Sequence, residues 1–215
     1  FYSNEFSKVI MQLRQMINLH KGLTAPVVLL MMFCWGNFAV GPCIYLALHG
    51  TYGALWLIKD QLFPDRQWQQ EINWATAIGG FFVMGLYWLA PLLLISGNRQ
   101  PSPALLAVAV AINLFGTVLH FGSDAQKHFT LELRKGLITT GFFSRCRNPN
   151  YLGELLIYAS FALVAMHFIP WLVLAGFGFG VFLPNMRRKD ISLSRYPGFQ
   201  NWYKQTGFLL PKLFI

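Results

Sequence analysis

Two stretches of this chain, Thr24 to Leu48 and Ile72 to Ile95, run for 25 and 24 residues without a charged side chain. A helix needs about 20 apolar residues to cross the roughly 30 Å hydrocarbon core of a bilayer, and both stretches exceed that length. A soluble domain has no place for two such runs, because it must cover its surface with polar groups. The composition agrees: 12% of the 215 residues are charged, against about 25% in ordinary soluble domains, and 55% are apolar with a mean hydropathy of +0.44. Disorder is excluded by the same apolar content. A disulfide scaffold is excluded because Cys34, Cys43 and Cys146 are the only cysteines, and their spacing matches no metal motif either.

Three further apolar segments follow. Ala104 to Phe121 supplies 18 residues, opened by Pro101 and Pro103, residues that favour the first turn of a helix. Tyr151 to Phe168 is interrupted only by Glu154 and His167. Trp171 to Leu183 has 13 residues, about 20 Å of helix, and needs its flanks to span. The last two read as a hairpin turning at His167 to Pro170, with Gly176 and Gly180 as a small-residue packing face. The expected architecture is therefore all-α: a polytopic integral membrane bundle of about five transmembrane helices, with a C-terminal helical hairpin and a basic tail. Residues 1–22 read as an amphipathic interfacial helix, since Phe6, Val9, Ile10, Leu13, Met16 and Ile17 recur at helical spacing. Residues 23–215 read as a single transmembrane domain, with His49 to Gln70 as interfacial helix plus loop. The absence of an initial Met points to a processed start.

With the N-terminus on one side and five crossings, that side receives Lys8, Arg14, Lys21 and Arg99, and the other receives thirteen of the seventeen basic residues. The positive-inside rule turns the richer side toward the cytoplasm or a mitochondrial matrix. The C-terminus lies there, and the endoplasmic reticulum, mitochondrial inner membrane and bacterial inner membrane all remain open. The net charge of +9 is thus explained by membrane lipids as partners, and nucleic acid is not needed as one.

Polar side chains inside spanning helices are costly, so each is a functional candidate. Asn113, Thr117, His120 and Asp124 fall at i, i+4, i+7 and i+11 on the third span and share one face. The fourth span opens with Arg147-Asn-Pro-Asn-Tyr-Leu-Gly-Glu154, where Asn150 and Glu154 are one turn apart and Tyr158 continues the stripe. Glu154 is the only carboxylate inside an apolar span and needs either a cationic partner or a proton. Its plainer role is to lock the bundle by pairing with an arginine. Eleven Lys and Arg between Lys127 and Lys212 suit the phosphate or carboxylate of a cofactor, although topology and anionic headgroups also account for them. His120, Asp124 and His128 share a face without a fourth ligand, so no metal is expected. Gly176 to Gly180 lies within a span and is no phosphate loop. No arrangement of Ser, His, Asp or Cys points to covalent catalysis.

From His120 to the C-terminus the residues resemble a membrane superfamily that includes steroid 5-alpha-reductase-like enzymes, sterol reductases, and isoprenylcysteine and phospholipid methyltransferases. Ser123-Asp124, Leu133-Arg-Lys-Gly136, Gly141-Phe-Phe-Ser-Arg145, Asn148-Pro-Asn-Tyr-Leu-Gly-Glu154, Arg188-Lys-Asp190, Tyr196-Pro-Gly198 and Leu209-Leu-Pro211 carry the resemblance. It implies a cofactor region over 120–215 and a lipophilic small-molecule substrate entering from the membrane. The reductase branch implies NADPH, with Asn150, Tyr151 and Glu154 at the reactive ring, His120, Asp124, Arg134 and Arg188 holding sugar and phosphate, and Arg147 and Lys189 also binding the cofactor. The methyltransferase branch implies S-adenosylmethionine, but Asn148 stands where its motif has His, and Lys189-Asp190 where it has two acids. The resemblance therefore favours an NADPH-dependent reductase of a steroid-like or prenyl lipid. Tyr52 is the candidate proton donor, with His49 and Asp60 nearby in sequence. The alternatives are methyl transfer to a lipid or isoprenylcysteine, and a non-catalytic accessory subunit docked to other membrane protein subunits.

Overall fold

A computed structural model describes residues 11–212. Of the described residues 78% are helical, and the described strands are Met11–Gln12 (β1) and Glu71–Ile72 (β2), paired antiparallel. Four segments are long and apolar enough to cross a membrane: Leu13–Trp35, Trp74–Ser96, Pro103–Leu133 and Phe168–Leu193. The expected all-α polytopic bundle is what the chain forms. It divides into two compact units, one reaching to Leu106 and taking in Val164–Pro170, the other holding Ala107–Leu163 and Trp171 onward. The sequence reading of one domain over 23–215 makes no such division.

In the first unit, Leu13–Trp35 (α1) and Val40–Leu62 (α2) pack as an antiparallel pair. Gly36 ends α1 in the left-handed region at φ 61°, its N–H reaching back to Met32 and Phe33 carbonyls, the usual helix stop that only a residue without Cβ adopts freely. That stop corrects the expected span over 24–48. The first crossing begins at Leu13 and absorbs the end of the expected interfacial helix, whose first ten residues lie outside the described residues. Val40–Leu62 is a 23-residue helix where an interfacial helix and loop were expected. The pair closes tightly because Gly53 has no Cβ: one there would collide with the Lys21 carbonyl oxygen. Trp74–Gly85 (α3) and Leu89–Ser96 (α4) are joined by a 3₁₀ turn, Leu86–Trp88, and match the expected second span. Asn73 starts α3 by accepting the Thr76 N–H at 2.9 Å, an N-cap.

Pro103–Leu133 (α5) enters the second unit at Ala107. Its 31 residues rise about 46 Å, so its end extends beyond the expected span over 104–121. Pro149–Ala165 (α6) packs on it. Phe168–Phe177 (α7) continues through a π-turn, Gly178–Phe182, into Leu183–Leu193 (α8). The 13-residue span therefore does extend into its flanks, giving 26 residues, and it carries Arg187 to Asp190 on its final turns. Phe199–Gln205 (α9) completes the tail and contributes Phe199 and Trp202 to a small core with Ile138 and Phe143. Phe33, Phe82, Phe115 and Phe179 are each about 70% exposed on these helices, a surface made for lipid tails rather than water.

Candidate functional site

The second unit is built around a polar seam between α5 and α6. Asn113 Nδ2 donates to Ser160 Oγ at 2.9 Å. One turn along, Gly116 lies against the Gly153 carbonyl and Ile157 N, and Gly153 against His120 N and the Gly116 carbonyl, so neither glycine has room for a Cβ. This backbone-to-backbone approach brings the His120 ring to the start of α6, with Nδ1 3.1 Å from the Asn150 carbonyl. A carbonyl only accepts, so Nδ1 carries the proton and Nε2 is the acceptor of that tautomer. Asp124 is buried one turn further, with Lys127 Nζ 4.0 Å away. His128 pairs instead with Glu132 at 3.1 Å, and among the described residues no three His, Cys, Asp or Glu side chains converge as metal ligands. Of the stripe read from the sequence, Asn113 serves helix packing, while His120 and Asp124 reach the site.

The segment before α6 is fastened by the C-terminal tail. Arg147 N donates to the Gly207 carbonyl, and Gly207 N to that of Arg145, both at 2.9 Å. The Cys146 thiol donates to the Leu209 carbonyl at 3.0 Å, and burial pushes that thiol above its ordinary range. The Arg147 guanidinium donates to Asp190 Oδ2 at 2.9 Å and to the Thr206 carbonyl at 2.8 Å, and lies 4.0 Å from the Tyr203 ring. Lys189 Nζ donates to the Arg147 carbonyl at 2.7 Å. Two residues expected to bind the cofactor, Arg147 and Lys189, thus direct these donors into the protein. The tail needs them, because a buried cation without partners is costly.

Three buried acceptor oxygens are left without a donor among the described residues: Asn148 Oδ1, Asn150 Oδ1 and Asp190 Oδ1. Each such group costs roughly 1–3 kcal/mol if nothing pairs with it. The orientation of Asn148 is fixed, since its Nδ2 donates to the Phe208 carbonyl at 2.8 Å and a flipped amide would set two acceptors against each other. Asn150 was expected in the site; Asn148 and Asp190 were not. The signal for Asp190 was its isolation as the last acid in the chain, inside a basic run.

Glu154 is half-buried and forms no ion pair or hydrogen bond among the described residues, so its plainer role as an arginine lock is not what these residues show; the arginine of the adjoining loop pairs with Asp190 instead. The Tyr151 ring lies 5.4 Å from that of Phe182, held by the π-turn, and Arg188 is exposed on α8.

A cavity of about 670 Å³ lies in the same unit, lined by Thr130, Arg134, Lys135, Tyr196, Asn201 and Gln205 around Ile138 and Trp202. Arg134 was expected here; the remaining polar lining was not, because it is gathered from the end of α5 and from α9. Asn148, Asn150 and Asp190 are not among the cavity's lining residues, and Phe143 connects the two. Trp202 Nε1 donates to the Phe143 carbonyl at 2.8 Å, and Lys189 Nζ lies 5.4 Å from the Phe143 ring.

Tyr52 belongs to the first unit, Glu154 to the second. Tyr52 is buried, with Lys21 Nζ 4.3 Å from its ring centre. Lys21 and Lys59 also approach the Trp56 ring, at 5.1 and 4.7 Å, and the His49 ring nitrogen Nδ1 lies 3.0 Å from the Tyr45 hydroxyl. His20 stacks on Trp88 at 4.5 Å. Asp60 accepts from Asn18 Nδ2 at 2.7 Å. Lys21 and His20 were missed because the sequence placed them on a surface helix.

Residues 16–186 match the family described as Protein of unknown function (DUF1295). An uncharacterized protein of Schizosaccharomyces pombe is 27% identical over 188 residues, covering 74% of this chain and 54% of that protein. The chain therefore spans about half the length of the curated relative it matches.

Proposed function

We propose that this chain, which belongs to the DUF1295 family, is a membrane reductase whose second unit binds NADPH and acts on a steroid-like or prenyl lipid. The observation that carries the reading is a site with two chemical poles in one unit. Asn148, Asn150 and Asp190 present acceptors that call for hydroxyl or amide donors. Arg134 and Lys135 line a cavity of about 670 Å³ and suit phosphate. A reduced dinucleotide has both kinds of group, and when bound it supplies hydride. The run Asn148 to Glu154, which resembles that of steroid 5-alpha-reductase-like proteins, supports the choice of cofactor. In this reading, Asn150 and Tyr151 orient the reactive ring, and His120 fixes the start of α6 through the Asn150 carbonyl. Arg188 is exposed on α8, and Lys189 holds the Arg147 backbone in place. Glu154 offers a half-buried carboxyl one turn from Asn150 that orients ring or substrate.

The test is the melting temperature of the detergent-purified protein with NADPH or S-adenosylmethionine, in wild type and Glu154→Gln. A ligand at a hundred times its Kd stabilises by about 2.7 kcal/mol, so NADPH is expected to raise Tm by several degrees, less in the variant. Stabilisation by S-adenosylmethionine alone would transfer the site to methyl transfer. No response to either, with copurification in a larger assembly, would support the accessory-subunit reading.

We place the site on the cytoplasmic or matrix side, as the charge rule implies. Val40–Leu62 is 23 residues long but is not among the four helices apolar enough to span; taken as a crossing added to the five read from the sequence, it leaves Arg99 alone on one side and the other sixteen basic residues opposite. The earlier division was thirteen to four, so the charge rule is obeyed better with both chain ends on the basic side. With Cys34 and Cys43 replaced, a Gln15→Cys variant, exposed at the start of α1, is expected to react in oriented vesicles with an impermeant maleimide from the same face as Lys204→Cys. Labelling from opposite faces would return the count to an odd number.

A further inference from the structure

Asn148 and Asp190 have no place in the phosphate-holding set read from the sequence, yet each keeps one buried oxygen without a donor among the described residues while its other polar atom is fastened. Asp190 Oδ2 is held by Arg147 Nε at 2.9 Å, and Asn148 Nδ2 by the Phe208 carbonyl at 2.8 Å. The two residues are tied to the same point of the chain: Asn148 follows Arg147, and Lys189, the neighbour of Asp190, donates to the Arg147 carbonyl at 2.7 Å. Arg147 also donates to the Thr206 carbonyl, so the tail fixes both acceptors before any ligand arrives. An acceptor held in this way pays off only when a donor meets it. The nearby cations do not supply one, because Arg147 and Lys189 direct their hydrogen bonds elsewhere.

These acceptors exclude a phosphate at this spot, since its oxygens would face a carboxylate and an amide oxygen. They fit a pair of hydroxyl groups. Asn150, two residues on, carries a third acceptor of the same kind. We infer that Asn148 Oδ1 and Asp190 Oδ1 together read the hydroxyl pair of the sugar next to the reactive ring, with Arg147 and the Thr206–Lys212 tail as the device that positions them. The inference rests on the dinucleotide reading above and adds to it which residues recognise the sugar.

The experiment measures affinity of the full chain in detergent for NADPH, for an NADPH analogue lacking both hydroxyls of the nicotinamide ribose, and for 2′,5′-ADP. Asp190→Asn keeps an oxygen for Arg147 and turns the other atom into a donor. It is expected to weaken NADPH binding about tenfold or more, while 2′,5′-ADP, which needs only the Arg134 and Lys135 end, binds unchanged. The wild-type protein should lose a similar factor on the dehydroxylated analogue, a result that does not depend on how any variant folds, and Asp190→Asn should lose little further on it. Wild type binding NADPH and the analogue equally would overturn the inference and leave the dinucleotide reading standing. Wild type binding neither would overturn both.

Discussion

Each unit of the molecule contains a helix pair drawn together at a glycine, and the two pairs treat their buried polar groups differently. In the first unit Gly53 admits the Lys21 carbonyl, and the polar side chains around it face aromatic rings: Lys21 over Tyr52 and Trp56, Lys59 over Trp56, His20 on Trp88. In the second unit Gly153 admits the backbone of His120, and the neighbouring oxygens of Asn148, Asn150 and Asp190 face no donor among the described residues. Rings offer a cation a diffuse attraction that tolerates small shifts, worth about 0.5–2 kcal/mol. Acceptor oxygens are directional and lose more when unmet. The first arrangement suits a scaffold and the second suits a site that waits for a ligand.

The sharpest way to break this contrast is to remove a cation from each unit. Arg147→Ala leaves Asp190 buried without its partner, and breaking such a pair costs about 3–5 kcal/mol. The expected result is a large fall in melting temperature and early proteolysis of the tail after α9. Lys21→Met keeps much of the side-chain volume against Tyr52 and Trp56, and is expected to cost about 1 kcal/mol, within the range of a cation over a ring. Equal losses would mean that the buried cations do the same structural work in both units.

The contrast also explains what could be read in the sequence. Helices of spanning length are legible because hydropathy is a local property, and Asn150 with Glu154 because a carboxylate in an apolar run stands out. The break at Gly36 was hidden because the apolar run continues through Phe38 and Val40, leaving only the Gly36-Asn37 pair as a stop signal. The length of α2 was hidden in turn, since His49, Lys59 and Asp60 read as interfacial until α1 is there to bury them. Arg147 and Lys189 looked like cofactor ligands because their partners lie elsewhere in the chain: Asp190 is 43 residues from Arg147, and the tail carbonyls are main-chain atoms that no side-chain pattern reveals. The acceptor cluster was illegible for the same reason. An amide oxygen becomes a candidate only when the donors around it can be seen to be used up.

A smaller effect separates the two glycine contacts themselves. Gly53→Ala and Gly153→Ala each insert a methyl group against backbone that cannot rotate away, and overpacking of this kind costs about 1–3 kcal/mol. In both pairs the helices must separate slightly. In the second unit separation moves the start of α6 away from the His120 ring, which lies 3.1 Å from the Asn150 carbonyl, and so displaces Asn150 from the position its backbone now holds. Gly153→Ala is therefore expected to lower the melting temperature and also to abolish the stabilisation by NADPH. Gly53→Ala lowers the melting temperature by a similar amount, but NADPH should still raise it as in wild type. Thermal melts of both variants with and without NADPH decide the point. If Gly53→Ala also lost the NADPH response, the first unit would have to be counted as part of the site rather than its scaffold.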